Sequence, residues 1–305
     1  MKFLKAIRKS DADVSHTAPR SKKGEKRRHA IGGLEAKVPD LLADESATIG
    51  KPSPDRVKGE VQSGNGSKST IYREFTVDPE KVNPCLVAVT QPSSSFAEEY
   101  RNLRTTLLQK SKKQRLKSIV VASVAPGEGK SVTALNLAWL LAQTEGITAL
   151  VLDGDLRLPS LAEYIGMDAK VGLSDVLDGE VDLSEAIVRL APSGLHLLPG
   201  GRVRPDVAEL LSGPTFAGVV EEATARFDYV IIDAPPLSVF ADAKILINGT
   251  DGALIVIRSN YTHYKTLGRI MEDLPTERLL GVVLNDSEET LIQGDYYDYR
   301  YYGRS

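Results

Sequence analysis

The stretch SIVVASVAPGEGKSVTALNLAWLLAQ, residues 118–143, constrains the fold more than any other part of the chain. A continuous apolar run, a short glycine-bearing turn and then an apolar segment at helical spacing predict a buried strand that feeds directly into a helix. At such a junction Gly127 and Gly129 let the backbone approach a ligand closely, and the N–H groups at the helix start attract an anion. GEGKS thus matches the second half of a P-loop, in which Lys130 would reach the β- and γ-phosphates of a nucleotide and the Ser131 hydroxyl would ligate Mg²⁺. Val124 stands where GxxxxGK[ST] has its first glycine.

The rest of residues 82–290 repeats the same texture. Apolar runs at TALVLD (148–153), LHLLP (195–199), YVIIDA (229–234), GALIVI (252–257) and GVVLN (281–285) are separated by segments of helical length. Continuous rather than alternating hydrophobicity predicts strands covered on both faces, hence an α/β fold of the P-loop NTPase type, with a doubly wound, mostly parallel sheet flanked by helices. Ligands in such sheets bind at the carboxyl ends of the strands. CLVAVT (85–90) reads as a further short strand, and FAEEYRNLRTTLLQ (96–109) as a helix with Phe96, Tyr100, Leu103 and Leu107 at helical spacing.

Two acidic boxes accompany the loop. In LVLDGDLRLPSL, Asp153 and Asp155 leave a strand two positions apart, and alternation of side chains is expected to aim both to one side. Near a phosphate site one carboxylate can hold a metal while the other accepts a proton, and Arg157 can steady phosphate charge. Without a phosphate site the same pair would cap a turn. In FDYVIIDAPPL, Asp233 ends a hydrophobic strand as a Walker B acid does, and Pro235 and Pro236 stiffen the exit.

The two ends have a different composition. Residues 1–30 carry ten Lys/Arg against three Asp/Glu, a basic head on a chain whose net charge is −3. MKFLKAIRKS is read as a short amphipathic helix, and residues 11 to about 80, rich in Ser, Gly, Pro and charge, as a mostly disordered arm. The chain ends on GDYYDYRYYGRS, which holds five of the eleven tyrosines, Tyr296, Tyr297, Tyr299, Tyr301 and Tyr302, interleaved with Gly and charge, and predicts a flexible tail. The expected division is an arm at 1–81, a P-loop domain at 82–290 and a tail at 291–305. A single cysteine, Cys85, excludes an internal disulfide framework. The lack of an apolar run of membrane-spanning length or a signal-peptide core predicts a cytoplasmic protein.

PGEGKS, DGDLR, IIDAPP and the tyrosine cluster, in that order, resemble the bacterial tyrosine kinases, the cytoplasmic autokinases of capsule and exopolysaccharide export, over roughly residues 82–305. EEYRNLR is similar to that family's oligomerisation helix, with Glu98, Arg101 and Arg104 at the matching spacing. LLPGGRVRPDVAELL resembles its loop and helix, with Asp206 and Val207 replacing an Asn-Pro pair. The resemblance implies ATP and Mg²⁺ as cofactors and nucleotide contacts from Gly127, Glu128, Gly129, Lys130, Ser131, Val132 and Arg157. It further implies Ser131, Asp155 and Asp233 around the metal, Asp153 as base toward tyrosine and Asn285 facing the adenine.

The tail then becomes the substrate, entering a neighbour's site in a homo-oligomeric ring that breaks on full phosphorylation. Each phosphotyrosine adds about −1.5 to −2 charges, which an acidic centre repels. A transmembrane polysaccharide co-polymerase is implied as a separate activator, placing the protein peripherally at the inner face of the membrane, aided by the basic head, with no nucleic-acid partner. The main alternative is a partitioning-type ATPase switch that positions cargo without phosphorylating protein. Such switches carry an early lysine in KGGxGK, where this chain has Ala125.

Overall fold

The structure, a computed structural model, describes residues 2–4 and 72–287. These contain nine strands: β1 (Lys2–Leu4), β2 (Arg73–Thr76), β3 (Ser118–Ser123), β4 (Ala149–Asp153), β5 (Val188–Ala191), β6 (Leu195–Leu198), β7 (Tyr229–Asp233), β8 (Gly252–Arg258) and β9 (Leu279–Asn285). They form one sheet in the order β1-β9-β8-β3-β7-β4-β6-β5-β2. The five strands from β9 to β4 are mutually parallel, as is β6 beside β4, whereas β5 turns back antiparallel to β6 and β1 runs antiparallel to β9.

Every residue of β3, β4 and β7 is buried because apolar layers cover both faces. Ile119, Val121 and Ile231 join one cluster with Leu103 and Leu107 of the helix Ser95–Ser111 and Leu137 of the helix Lys130–Ala142. Their neighbours Val120, Ala122 and Ile232 point the other way, into a second cluster with Phe216 and Val219 of the helix Pro214–Arg226 and Leu246 of the helix Asp242–Asn248. Period-two alternation across a sheet with two buried faces is why these strands read as unbroken apolar runs.

The doubly wound reading therefore holds, with corrections at its margins. CLVAVT is not a strand: Val87–Thr90 forms a helical turn. Asn136, from the helix after the P-loop, accepts a hydrogen bond from Ala88 N (2.9 Å) and donates to the Cys85 carbonyl (3.0 Å), so this segment's polar groups are satisfied without a ladder. The folded unit also begins ahead of residue 82, because β2 pairs in parallel with β5 as an edge strand. Its residues are mostly exposed and the Glu74 carboxylate pairs with Arg189, so no apolar pattern announces it. Lys2–Leu4, expected in a helix, instead pairs with β9 in the register Lys2 to Leu284, adding a strand to an edge that would otherwise be open. Residues 5–71 and the tyrosine tail lie outside the described residues.

Candidate active site

The carboxyl ends of β3, β4 and β7, adjacent in the sheet, bring the three sequence boxes together. After β3 the chain does not turn at once. Val124 is buried in the second core cluster and its carbonyl accepts from Ser238 N (3.0 Å), so the missing first glycine is a residue that continues the strand's packing. The sharp turn comes at Gly127 (φ 77°) and Gly129 (φ 91°), and the helix begins at Lys130. A Cβ at Gly129 would lie 2.2 Å from Asn285 Nδ2. Gly129→Ala should therefore cost about 1–2 kcal/mol in backbone strain alone and weaken nucleotide binding with it, as isothermal titration with ADP would read.

Lys130 Nζ lies 3.1 Å from Asp155 Oδ2 and 3.3 Å from Asp233 Oδ2. Ser131 Oγ donates to the same Asp233 oxygen at 2.5 Å. Burial opposes the Lys130 charge, but Asp233 and Asp155 outweigh it and hold the ammonium above the ordinary lysine range. Asp233 is fully buried, and burial raises its carboxyl against the pull of Lys130. Its Oδ1 is buried with no hydrogen-bond partner, an unmet acceptor of the kind that a metal's water shell satisfies. Ser131, Asp155 and Asp233 thus make a hard-oxygen set that fits Mg²⁺.

Asp153 and Asp155 part company, contrary to the expectation that both aim to one side. The strand ends at Asp153, and the chain bends at Gly154, whose N–H donates to the Asp233 carbonyl (2.8 Å) and which has no room for a Cβ there. Asp155 goes to Lys130, while Asp153 Oδ2 accepts from Ser160 N (2.8 Å) and Leu161 N (2.9 Å). Asp153 is fully buried, and burial followed by the nearby Asp233 charge pushes its carboxyl up to about 7.

A cleft of about 290 Å³ opens over the loop, lined by Gly127, Lys130, Ser131, Val132 and Asp155. Its outer wall includes the exposed apolar side chains of Leu158, Val239 and Phe240. Arg157 also borders the cleft, but its guanidinium is held by Asp242 through Nε (2.6 Å) and Nη2 (3.3 Å), and lies 4.4 Å over the Phe240 ring. Its charge is thereby engaged by a buried carboxylate rather than left open to a phosphate. Asn285, expected at an adenine, donates through Nδ2 to the Glu128 carbonyl (3.0 Å) and so braces the loop from behind. Glu128 is likewise turned away from the cleft: its side chain is buried, with Oε2 accepting from Ala125 N at 2.8 Å and Oε1 from the Thr262 hydroxyl. Sequence reasoning did not find Thr262, Asp242, Val239 or Phe240, because each belongs to a segment with no motif of its own.

On the helix Ser95–Ser111, whose start is capped by Ser94, Glu98 pairs with Arg101 (2.8 Å). Arg104 reaches across to the Leu140 carbonyl at 3.4 Å. Phe96 on the same helix is 64% exposed.

The sequence profile of a family described as an AAA domain matches residues 116–277. The tyrosine-protein kinase YwqD of Bacillus subtilis is 36% identical over 220 residues, covering 72% of this chain and 91% of the relative. The succinoglycan biosynthesis transport protein ExoP of Rhizobium meliloti is 34% identical over 218 residues, 70% of this chain but only 28% of that much longer protein. Among solved structures, the kinase domain of the Escherichia coli tyrosine kinase ETK superimposes with a TM-score of 0.63 at 26% identity, covering 69% of this chain and 84% of that domain. With a nucleotide loop and two acidic boxes at the ends of adjacent strands, and with these relatives, the chain belongs to the bacterial tyrosine kinases, P-loop enzymes of capsule and exopolysaccharide biosynthesis.

Proposed function

We propose that this chain transfers the γ-phosphoryl group of ATP to the tyrosines of its own tail, Tyr296, Tyr297, Tyr299, Tyr301 and Tyr302, and so regulates polysaccharide export. The observation that carries this reading is the convergence of Lys130, Ser131, Asp155 and Asp233 at one end of a cleft, with a third carboxyl, Asp153, pushed up to about 7, beside them. The N–H groups from Gly127 to Ser131 receive the phosphates, and Lys130 balances their charge. Ser131, Asp155 and Asp233 would hold Mg²⁺, which when bound neutralises phosphate charge and polarises the transferring group.

A tyrosine hydroxyl oxygen attacks the γ-phosphorus as the bond to the β–γ bridging oxygen breaks and ADP leaves. The phenolic proton passes to Asp153, whose raised pKa suits a base working near neutral pH. Because Asp153 is fully buried, that transfer requires the Asp155–Leu161 turn to open or a water to relay the proton.

Glu98, Arg101 and Arg104 would join subunits into a ring in which one tail reaches its neighbour's cleft. A separate transmembrane co-polymerase is the proposed activator, holding the kinase at the inner face of the membrane; no helix among the described residues is long and apolar enough to cross a membrane. That ExoP contains a matching region within a longer transport protein supports a kinase that works beside such a partner.

Incubating the purified full chain with ATP and Mg²⁺ and mapping phosphotyrosine by mass spectrometry tests the reading. Replacing all five tail tyrosines with Phe should remove most of the label while leaving ADP binding intact. Equal labelling of the two proteins would sink the tail as substrate. ATP hydrolysis with no phosphotyrosine, even with the activator's cytoplasmic segment present, would instead favour the partitioning-type switch.

A further inference from the structure

An acidic side chain inside a phosphate-binding loop opposes nucleotide binding unless its charge is directed away and hydrogen-bonded. Glu128 meets both conditions. It sits between the two positive-φ glycines, 0% exposed, and points behind the loop rather than into the cleft. One carboxylate oxygen closes the loop on itself by accepting from Ala125 N at 2.8 Å. The other is met by a hydroxyl from a distant segment: Thr262, four residues past the end of β8, donates to Oε1.

The Thr262 hydroxyl is itself oriented. Its oxygen accepts from Arg258 N at 3.0 Å, which leaves its single proton to be shared between Glu128 and the Arg258 carbonyl 3.2 Å away. The carboxylate is the stronger acceptor and takes it. From the other side, Asn285 donates to the Glu128 carbonyl, and Ser259 N donates to the Asn285 carbonyl at 2.9 Å. The ends of β8 and β9 therefore grip one residue of the loop by both its main chain and its side chain.

We propose that Thr262 is a positioning residue for nucleotide binding: by holding the buried Glu128 carboxylate it fixes the direction of the loop amides that receive the phosphates. Removing the hydroxyl leaves a buried carboxylate oxygen one donor short, and the loop must then turn Glu128 toward solvent or toward the phosphates. Either movement disturbs the amides on both sides of Gly129. The inference rests on the nucleotide site alone and is independent of whether the tail is the substrate.

Equilibrium binding of a fluorescent N-methylanthraniloyl-ADP with Mg²⁺ to the full chain tests it without phosphoryl transfer. Thr262→Val keeps the side-chain shape and should raise Kd by roughly tenfold, and Thr262→Ser, which returns the hydroxyl, should restore most of the affinity. Glu128→Ala should weaken binding similarly, and the double variant Glu128→Ala with Thr262→Val should bind no worse than Glu128→Ala alone, because both changes break one unit. In steady-state kinetics the KM for ATP should rise more than kcat falls. Additive losses in the double variant would overturn the proposal, as would a Thr262→Val protein that binds like the unaltered chain. A serine variant as weak as the valine one would also overturn it. Should Thr262→Val melt early, the comparison of Thr262→Ser with the unaltered protein and the KM-against-kcat split still decide.

Discussion

Lys130→Met should lower tail phosphorylation on the order of a thousandfold and should also make the stability of the fold depend more steeply on pH than it does in the unaltered protein. The first effect follows from removing a pre-positioned charge at the phosphates. The second comes from what the ammonium does before any nucleotide arrives: it stands 3.1 Å from Asp155 and 3.3 Å from Asp233, with a third buried carboxyl, Asp153, close behind. Stranding a buried charge by removing its partner costs about 3–5 kcal/mol. Burial already raises Asp233, and Lys130 is the main force opposing that rise, so its loss must raise Asp233 further.

A carboxylate whose folded pKa exceeds its unfolded value binds more protons when folded, and the folded state then loses stability as pH climbs from the unfolded value through the folded one. The melting temperature of Lys130→Met should accordingly fall between pH 5 and pH 8 by more than that of the unaltered protein. Differential scanning fluorimetry across that window, beside phosphotyrosine mapping, checks both halves. A variant that labels its tail normally would remove Lys130 from the mechanism, and one that melts identically at both pH values would remove it from the charge balance.

The same cluster shows which parts of the molecule were legible in the sequence. Lys130, Ser131 and Asp233 could be read because each sits at a junction where hydrophobic periodicity stops, and a strand end followed by a turn fixes where its side chain goes. The central strands were legible for the same reason: both faces of β3, β4 and β7 are buried, so no polar residue interrupts them. The edges were not. In β2 what sets the ladder is a neighbour far away in sequence, and exposed residues such as Glu74 carry no apolar signal.

Two polar residues near the motifs show a different limit. Arg157 and Asn285 have side chains suited to a phosphate and an adenine, yet Asp242 and the Glu128 carbonyl engage them. Composition near a motif identifies donors, but the partner is chosen by tertiary packing, here by the start of the helix Asp242–Asn248 and by the close approach of Gly129 to β9. Asp153 and Asp155 separate because the strand ends between them, so the two-residue alternation that would have kept them together no longer applies.

Asp153→Asn should reduce phosphorylation by about 10²–10⁴-fold while leaving ADP affinity nearly unchanged, because the side chain touches main-chain amides rather than the cleft. Its carboxyl is pushed up to about 7, first by burial and then by Asp233, so at pH 6 most of it is protonated and unable to accept a phenolic proton. Phosphorylation by the unaltered protein should therefore climb as pH rises from 6 to 8, and the residual activity of Asp153→Asn should be flat over that range. Stability moves the opposite way. A carboxyl raised from the ordinary range to about 7 costs the fold stability progressively from about pH 4 to about pH 7, and an asparagine there is never charged, so Asp153→Asn should melt higher than the unaltered protein at pH 8, by a smaller margin at pH 5, and nearly equal to it only below about pH 4. A lost activity joined to a gained melting temperature separates a removed base from a damaged fold. Asp155→Asn supplies the contrast, since Asp155 borders the cleft and pairs with Lys130. If the proton goes to Asp155 instead, it is Asp155→Asn that flattens the pH profile while Asp153→Asn keeps it. The two profiles, measured on one assay, assign the proton to one carboxylate or the other.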